Sequence, residues 1–259
     1  MNYENIKIEK KREILFLTID RKEKRNALDS VLLKEMKDCL EEYRYEADVS
    51  VIVITGDGDK TFASGADIKE LKNKSSLDIL KKGGMKEFYD YLESYEKPTI
   101  AMINGHALGG GCELALACDI RIASTNAKMG FPELNLAIIP GAGGTQRLTR
   151  LVGQGKATDL ILTGEILTAE KAKEVGILSE VVSSEKLEDK VVEKANAILN
   201  KGPLAVKLAK LSIQYGAEAN ISTGLMIEKL SQAILFTTND KNEGATSFLE
   251  KRKPNFKGN

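Results

Sequence analysis

Four apolar runs of strand length punctuate the first half of the chain, at residues 14–19, 51–55, 99–103 and 119–123. Each is rich in Ile, Val or Thr and mostly lacks polar alternation, which predicts strands covered on both faces, as in α/β proteins. Between them the spacing changes. Leu33, Met36, Leu40 and Tyr43 follow a 3.6-residue period, with Asp29 or Ser30 placed to cap the helix start. A lysine-rich stretch, 69–82, precedes Gly83 and Gly84 and reads as a solvated, mobile surface segment between two helices. Thr168, Ala169 and Glu170 open a helix that ends near Gly176. Pro203 suits the first turn of another that reaches Tyr215.

Two segments echo each other: VIVITGDGDKTFASGADIKEL at 51–71 and TIAMINGHALGGGCELALAC at 99–118. Each reads as a buried strand, a glycine-containing loop and a helix, which suggests stacked strand–turn–helix units. Past residue 157 the pattern turns helical. The expected map is a core over 1–195 and a helical region over 196–259, with an exposed basic tail, EKRKPNFKGN.

Composition narrows the chemistry. The 259 residues hold 38 Lys and Arg against 38 Asp and Glu, and this balance argues against a general polyanion binder. No apolar run approaches the ~20 residues of a membrane span. The first twelve residues carry Glu4 and Glu9 without an apolar signal core, so neither a secretory nor a transit peptide is expected. Cys39, Cys112 and Cys118 form no metal-binding or redox spacing and read as small buried hydrophobes of a protein in a reducing compartment. One histidine cannot build a two-histidine zinc site. Without a nucleophile elbow, His106 reads as a loop or strand-end residue.

The informative residues are Gly109, Gly110 and Gly111, followed by Glu113. Three glycines weaken a helix interior, so they belong at its entry, where unpaired N–H donors and a partial positive charge collect. Alone, such a run as readily serves tight packing. A second loop of small residues, 62–67 (FASGAD), also leads from a strand toward a helix. Two such loops on neighbouring strands could each aim one backbone N–H at a single oxygen, forming an oxyanion hole made of main chain. Glu113 falls one helical turn from Gly110, and Glu133 follows Pro132. Two carboxylates flanking an oxyanion site suit acid–base work on an activated carbonyl compound.

These residues resemble the enoyl-CoA hydratase/isomerase (crotonase) family. The stretch IAMINGHALGGGCELALACDI at 100–120 is similar to the family signature. RNALD at 25–29, FASGADIKEL at 62–71, FPELNLAIIPGAGGTQRLTRLVG at 131–153 and EKRKPNFKG at 250–258 agree with it in order and spacing. The resemblance implies an α/β fold, a spiral of ββα turns with C-terminal helices that build trimers, often paired as hexamers. By motif position the N–H groups of Ala66 and Gly110 would hold a thioester oxygen, and Ala66, Asp67, Ile68 and Lys69 would line the CoA and acyl site. Glu113 and Glu133 match the family's two catalytic glutamates, whose joint presence favours hydration of a 2-enoyl-CoA. Arg25, Lys69 and Lys251 are implied as CoA phosphate contacts. No metal and no cofactor beyond the CoA of the substrate is implied, and the setting would be cytoplasmic. Rival readings are an enoyl-CoA isomerase or a branched-substrate hydratase acting on 3-methylglutaconyl-CoA. From another class, an RNA-binding protein of the same fold would use Lys72, Lys74, Lys81, Lys82 and Lys86 as a basic face, against which zero net charge argues.

Overall fold

In the chain's computed structural model, residues 3–81 and 83–259 are described, so Lys82 of the basic-face reading lies outside them. Ten strands and twelve α-helices follow in the order β1 (Ile6–Lys11), β2 (Ile14–Ile19), α1 (Ser30–Glu42), β3 (Val51–Gly56), β4 (Thr61–Ala63), α2 (Ile68–Asn73), α3 (Ser76–Leu80), α4 (Met85–Glu93), β5 (Thr99–Ile103), β6 (His106–Leu108), α5 (Gly110–Ala117), β7 (Ile120–Ser124), β8 (Lys128–Gly130), α6 (Gly144–Val152), α7 (Gln154–Thr163), β9 (Ile166–Thr168), α8 (Ala169–Glu174), β10 (Glu180–Val182), α9 (Leu187–Leu199), α10 (Pro203–Glu218), α11 (Ile221–Leu235) and α12 (Asn239–Leu249). They divide into two compact units: one holds the residues up to Tyr95 with Thr99–Val192, the other Glu96–Pro98 with Glu193–Asn259.

In the first unit a six-stranded sheet runs β1-β2-β3-β5-β7-β10, and a smaller one runs β4-β6-β8-β9. Successive strands alternate between the sheets: β3 to β4, β5 to β6, β7 to β8. Each strand pair is one turn of a ββα spiral, as the sequence echo suggests. From β2 onward the large sheet is parallel, and β3 and β5 are buried along their whole length, which explains their unbroken apolar runs. The antiparallel β1 closes one edge with the sequence IKIEKK, whose charges discourage further strand pairing. On α1 the buried stripe is Leu32, Leu33, Met36, Cys39 and Leu40, and the Asp29 side chain caps it by accepting from Leu32 N.

One expectation needs correction. Besides α2, the helix expected to follow the 62–67 loop, the lysine-rich stretch holds α3, and each helix has its own cap. Asp67 accepts from the N–H groups of Lys69 and Glu70, and Ser75 forms a capping box with Asp78. Three of the lysines named for a basic face are paired with acids: Lys74 with Glu70, Lys81 with Asp78 and Lys86 with Asp90.

The second unit packs α10 along α11, where Gly216 and Gly224 face each other. Its basic tail is exposed but tied down. Arg252 pairs with Glu243 and Glu250, and the Asp240 carboxylate accepts from the N–H groups of Lys257 and Gly258. Ile213, Ile221, Leu225, Leu230 and Ile234 are exposed in this unit.

Candidate active site

The spiral sets the two glycine loops beside each other. Strands β4 and β6 pair in parallel with Ala63 opposite Ala107, and Ala66 and Gly110 each lie three residues further on. The loops stay in contact: a methyl group built on Gly110 would lie 3.5 Å from the Ala66 nitrogen. Neither the Ala66 N–H nor the Gly110 N–H is taken up by another backbone carbonyl among the described residues. Gly110 is the first residue of α5, so its N–H is one of the donors a helix start leaves unpaired. Gly109 ahead of it turns the chain at φ +52° and donates to the Gly130 carbonyl.

Both carboxylates converge here. Glu113 is buried on α5, and its Oε1 accepts from Ala142 N at 2.8 Å and from Gly144 N at 2.7 Å. Burial raises its pKa above the ordinary carboxylate value, while these two N–H groups and the Arg147 cation pull it back down. Glu133 is 9% exposed in a 3-10 turn, Pro132–Leu136, that opens on the proline. Its Oε2 is buried without a partner, and burial pushes its pKa up to about 7, with the neighbouring Glu113 charge adding to the rise. A side chain on Gly109 would come within 2.9 Å of Glu133 Oε1, and one on Gly144 within 2.9 Å of Glu113 Oε1. The glycines therefore provide room for the carboxylates as well as donors.

The surrounding elements hold this arrangement. Tyr89, fully buried on α4, donates to the Gly110 carbonyl at 2.7 Å, and Met85 of the same helix lies over Gly110. Arg147 on α6 donates to the Ala142 carbonyl and pairs with Asp90 and Glu93 of α4. None of these supporting residues announced itself in the sequence. The one available signal was the glycine-rich approach to Arg147 in PGAGGTQR at 140–147.

The remaining sequence candidates are spread out. Asp67 is spent as the cap of α2, and the Ile68 side chain is 59% exposed beside the exposed Lys69. Arg25 has a left-handed backbone at φ +54°, and its carbonyl accepts from Ser64 N at 3.2 Å, placing it against the 62–67 loop. Lys251 belongs to the second unit, exposed after α12 at φ +53°. His106 opens β6, and its Nδ1 is buried without a partner.

The pattern that defines the enoyl-CoA hydratase/isomerase family matches residues 9–259. The chain is 44% identical over 257 residues to the crotonyl-CoA hydratase of Syntrophomonas wolfei, covering 99% of both. It is 43% identical over 254 residues to the short-chain-enoyl-CoA hydratase of Clostridium acetobutylicum, covering 98% of this chain and 97% of that one. The crystal structure of enoyl-CoA hydratase from Bacillus anthracis superposes with a TM-score of 0.94 at 41% identity, covering 99% of this chain and all of the other.

Proposed function

Since this chain belongs to the enoyl-CoA hydratase/isomerase family and is an enoyl-CoA hydratase, a hydro-lyase, we propose that Glu113 and Glu133 carry its acid–base chemistry and that Ala66 and Gly110 N–H groups bind the thioester oxygen. One observation carries this reading. Two buried, electrostatically coupled carboxyls stand beside two N–H groups that no other backbone carbonyl takes up, Glu113 held by two N–H donors and Glu133 with its Oε2 unpartnered.

The reaction adds water across the 2,3-double bond of a 2-enoyl-CoA to give a 3-hydroxyacyl-CoA. As the water oxygen bonds to C3, the double-bond electrons move toward the carbonyl and negative charge grows on the thioester oxygen. Two preorganised N–H groups stabilise that charge, and losing one such donor costs about 3–4 kcal/mol in comparable sites. Glu113, kept closer to its ionised form by two N–H bonds and Arg147, takes the proton from water. Glu133, about half protonated near neutrality, delivers its proton to C2. One proton passed from Glu113 to Glu133 resets the pair, which titrates as a coupled unit.

Arg25, Lys69 and Lys251 are the cations we assign to the CoA phosphates, with Asp67 and Ile68 flanking the acyl site. The exposed apolar residues of α10 and α11 suit assembly as a trimer, or as two trimers paired in a hexamer. A cytoplasmic setting and a place in fatty-acid metabolism belong to the same proposal. Among the described residues no helix is long and apolar enough to cross a membrane.

The test is loss of the conjugated-thioester absorbance of crotonyl-CoA with the unaltered chain, Glu113→Gln and Glu133→Gln. Each variant is expected to lose about 10²- to 10⁴-fold in turnover while still binding acyl-CoA. Near-normal hydration by either variant refutes its assignment.

A further inference from the structure

Arg147 reaches the site through one intermediate group. Its Nη1 donates to the Ala142 carbonyl at 2.9 Å, and the N–H of that same residue donates to Glu113 Oε1 at 2.8 Å. On its other side the guanidinium is clamped by α4. Nε and Nη2 reach Glu93 Oε2 at 3.0 and 2.6 Å, and Nη2 reaches Asp90 Oδ1 at 2.9 Å. Its side chain is 11% exposed, whereas Asp90 and Glu93 are 48% and 36% exposed, so the anchor faces water and the working end faces the site. The clamp thus ties the 140–144 loop to the helix whose Tyr89 braces Gly110.

We propose that Arg147 is a positioning residue for the hydration step, fixing the peptide groups of Ala142 and Gly144 so that Glu113 is held as an oriented carboxylate. A lysine cannot do this work, because one ammonium does not present a rigid fork to a carbonyl and two carboxylates at once. The proposal rests on the reading of Glu113 as the water-activating base.

The pH behaviour follows from the groups around Glu113. These are Glu133 from the 3-10 turn, Arg147 from α6, Tyr89 from α4 and Cys112 on its own helix, with Asp90 and Glu93 of α4 held on the far side of Arg147. The two N–H groups and Arg147 favour the carboxylate form of Glu113. Disturbing them raises the proton affinity of Glu113, so the acid limb of the kcat/KM profile moves to higher pH.

The experiment compares Arg147→Lys, Glu93→Gln, Glu113→Gln and the double variant Glu113→Gln/Arg147→Lys with crotonyl-CoA across pH. Arg147→Lys is expected to lower kcat about 10- to 100-fold, the cost of a roughly 1 Å misplacement, with KM changed less than about twofold. Glu93→Gln, a conservative change at a half-exposed anchor, is expected to lower kcat severalfold. In the Glu113→Gln background Arg147→Lys should cost almost nothing further, since its effect passes through the missing carboxylate. The proposal is overturned if kcat of both single variants and the acid limb of Arg147→Lys match the unaltered chain. It is equally overturned if the loss is the same with and without Glu113. Failure of the underlying reading looks different: Glu113→Gln itself would then retain turnover.

Discussion

Tyr89 donates its hydroxyl hydrogen to the carbonyl of Gly110 at 2.7 Å, across 21 positions of sequence and with no exposure to solvent. The bond holds the peptide group that follows Gly110, next to the one that carries its N–H. Burial raises the Tyr89 pKa well above its ordinary value, so the hydroxyl keeps its proton throughout the working pH range. Tyr89→Phe should cost about 1 kcal/mol of stability, the net worth of one buried hydrogen bond. A few-fold drop in kcat should accompany it, and denaturant unfolding alongside crotonyl-CoA kinetics measures both. A variant as stable and as fast as the parent would show that the bond orders nothing.

Glu133 binds its proton more tightly in the folded chain, at about 7, than at the ordinary value of 4.5 that applies when unfolded. A carboxyl shifted upward makes the folded state lose relative stability as pH climbs between those two values. Glu133→Gln removes that liability. At pH 8 the variant should be more stable than the parent by on the order of 2 kcal/mol, an advantage that shrinks to little at pH 4.5. Urea unfolding at the two pH values checks it, and a pH-independent difference would contradict the assigned cause. With Glu133 as the proposed proton donor, the same titration should make parental hydration decline above about pH 7.

Gly144 opens α6 in ordinary helical backbone, so alanine there tests space alone. Its methyl group would meet Pro140 Cβ at 2.8 Å, Glu113 Oε1 at 2.9 Å and Glu113 Cγ at 3.0 Å. Gly144→Ala should reduce kcat about 10- to 100-fold by pushing the carboxylate aside. Overpacking would destabilise the fold by about 1–3 kcal/mol. Unchanged kcat would mean that the loop yields freely.

Cys39, Cys112 and Cys118 are free thiols, all buried. Burial pushes the Cys39 thiol up to about 12 and Cys112 higher still. Iodoacetamide at pH 8 should therefore leave the native protein unmodified and label all three after denaturation, as read by mass spectrometry. Rapid labelling without denaturant would contradict that burial.

How much of this is legible in the sequence depends on range. Strands buried on both faces, such as β3 and β5, show as apolar runs, and Gly109–Gly111 with Glu113 mark a helix entry because their signals are local. Strands β4, β6, β8 and β9 are three residues each, too short for any periodicity to declare them. The role proposed for Arg147 rests on contacts 54 and 57 positions away, with Glu93 and Asp90, so no local pattern reports it. Helix α3, five residues set between lysines, was too short to show a period, although Ser75 and Asp78 stand at capping-box spacing.

The paired strands β4 and β6 also keep the two loops in step. Ala66 and Gly110 sit at equal offsets beyond the Ala63–Ala107 pair, and each loop turns just ahead of its donor through a glycine with left-handed backbone, Gly65 at φ +96° and Gly109 at φ +52°. A one-residue insertion in either loop would put the two donors out of step while leaving every acidic residue in place.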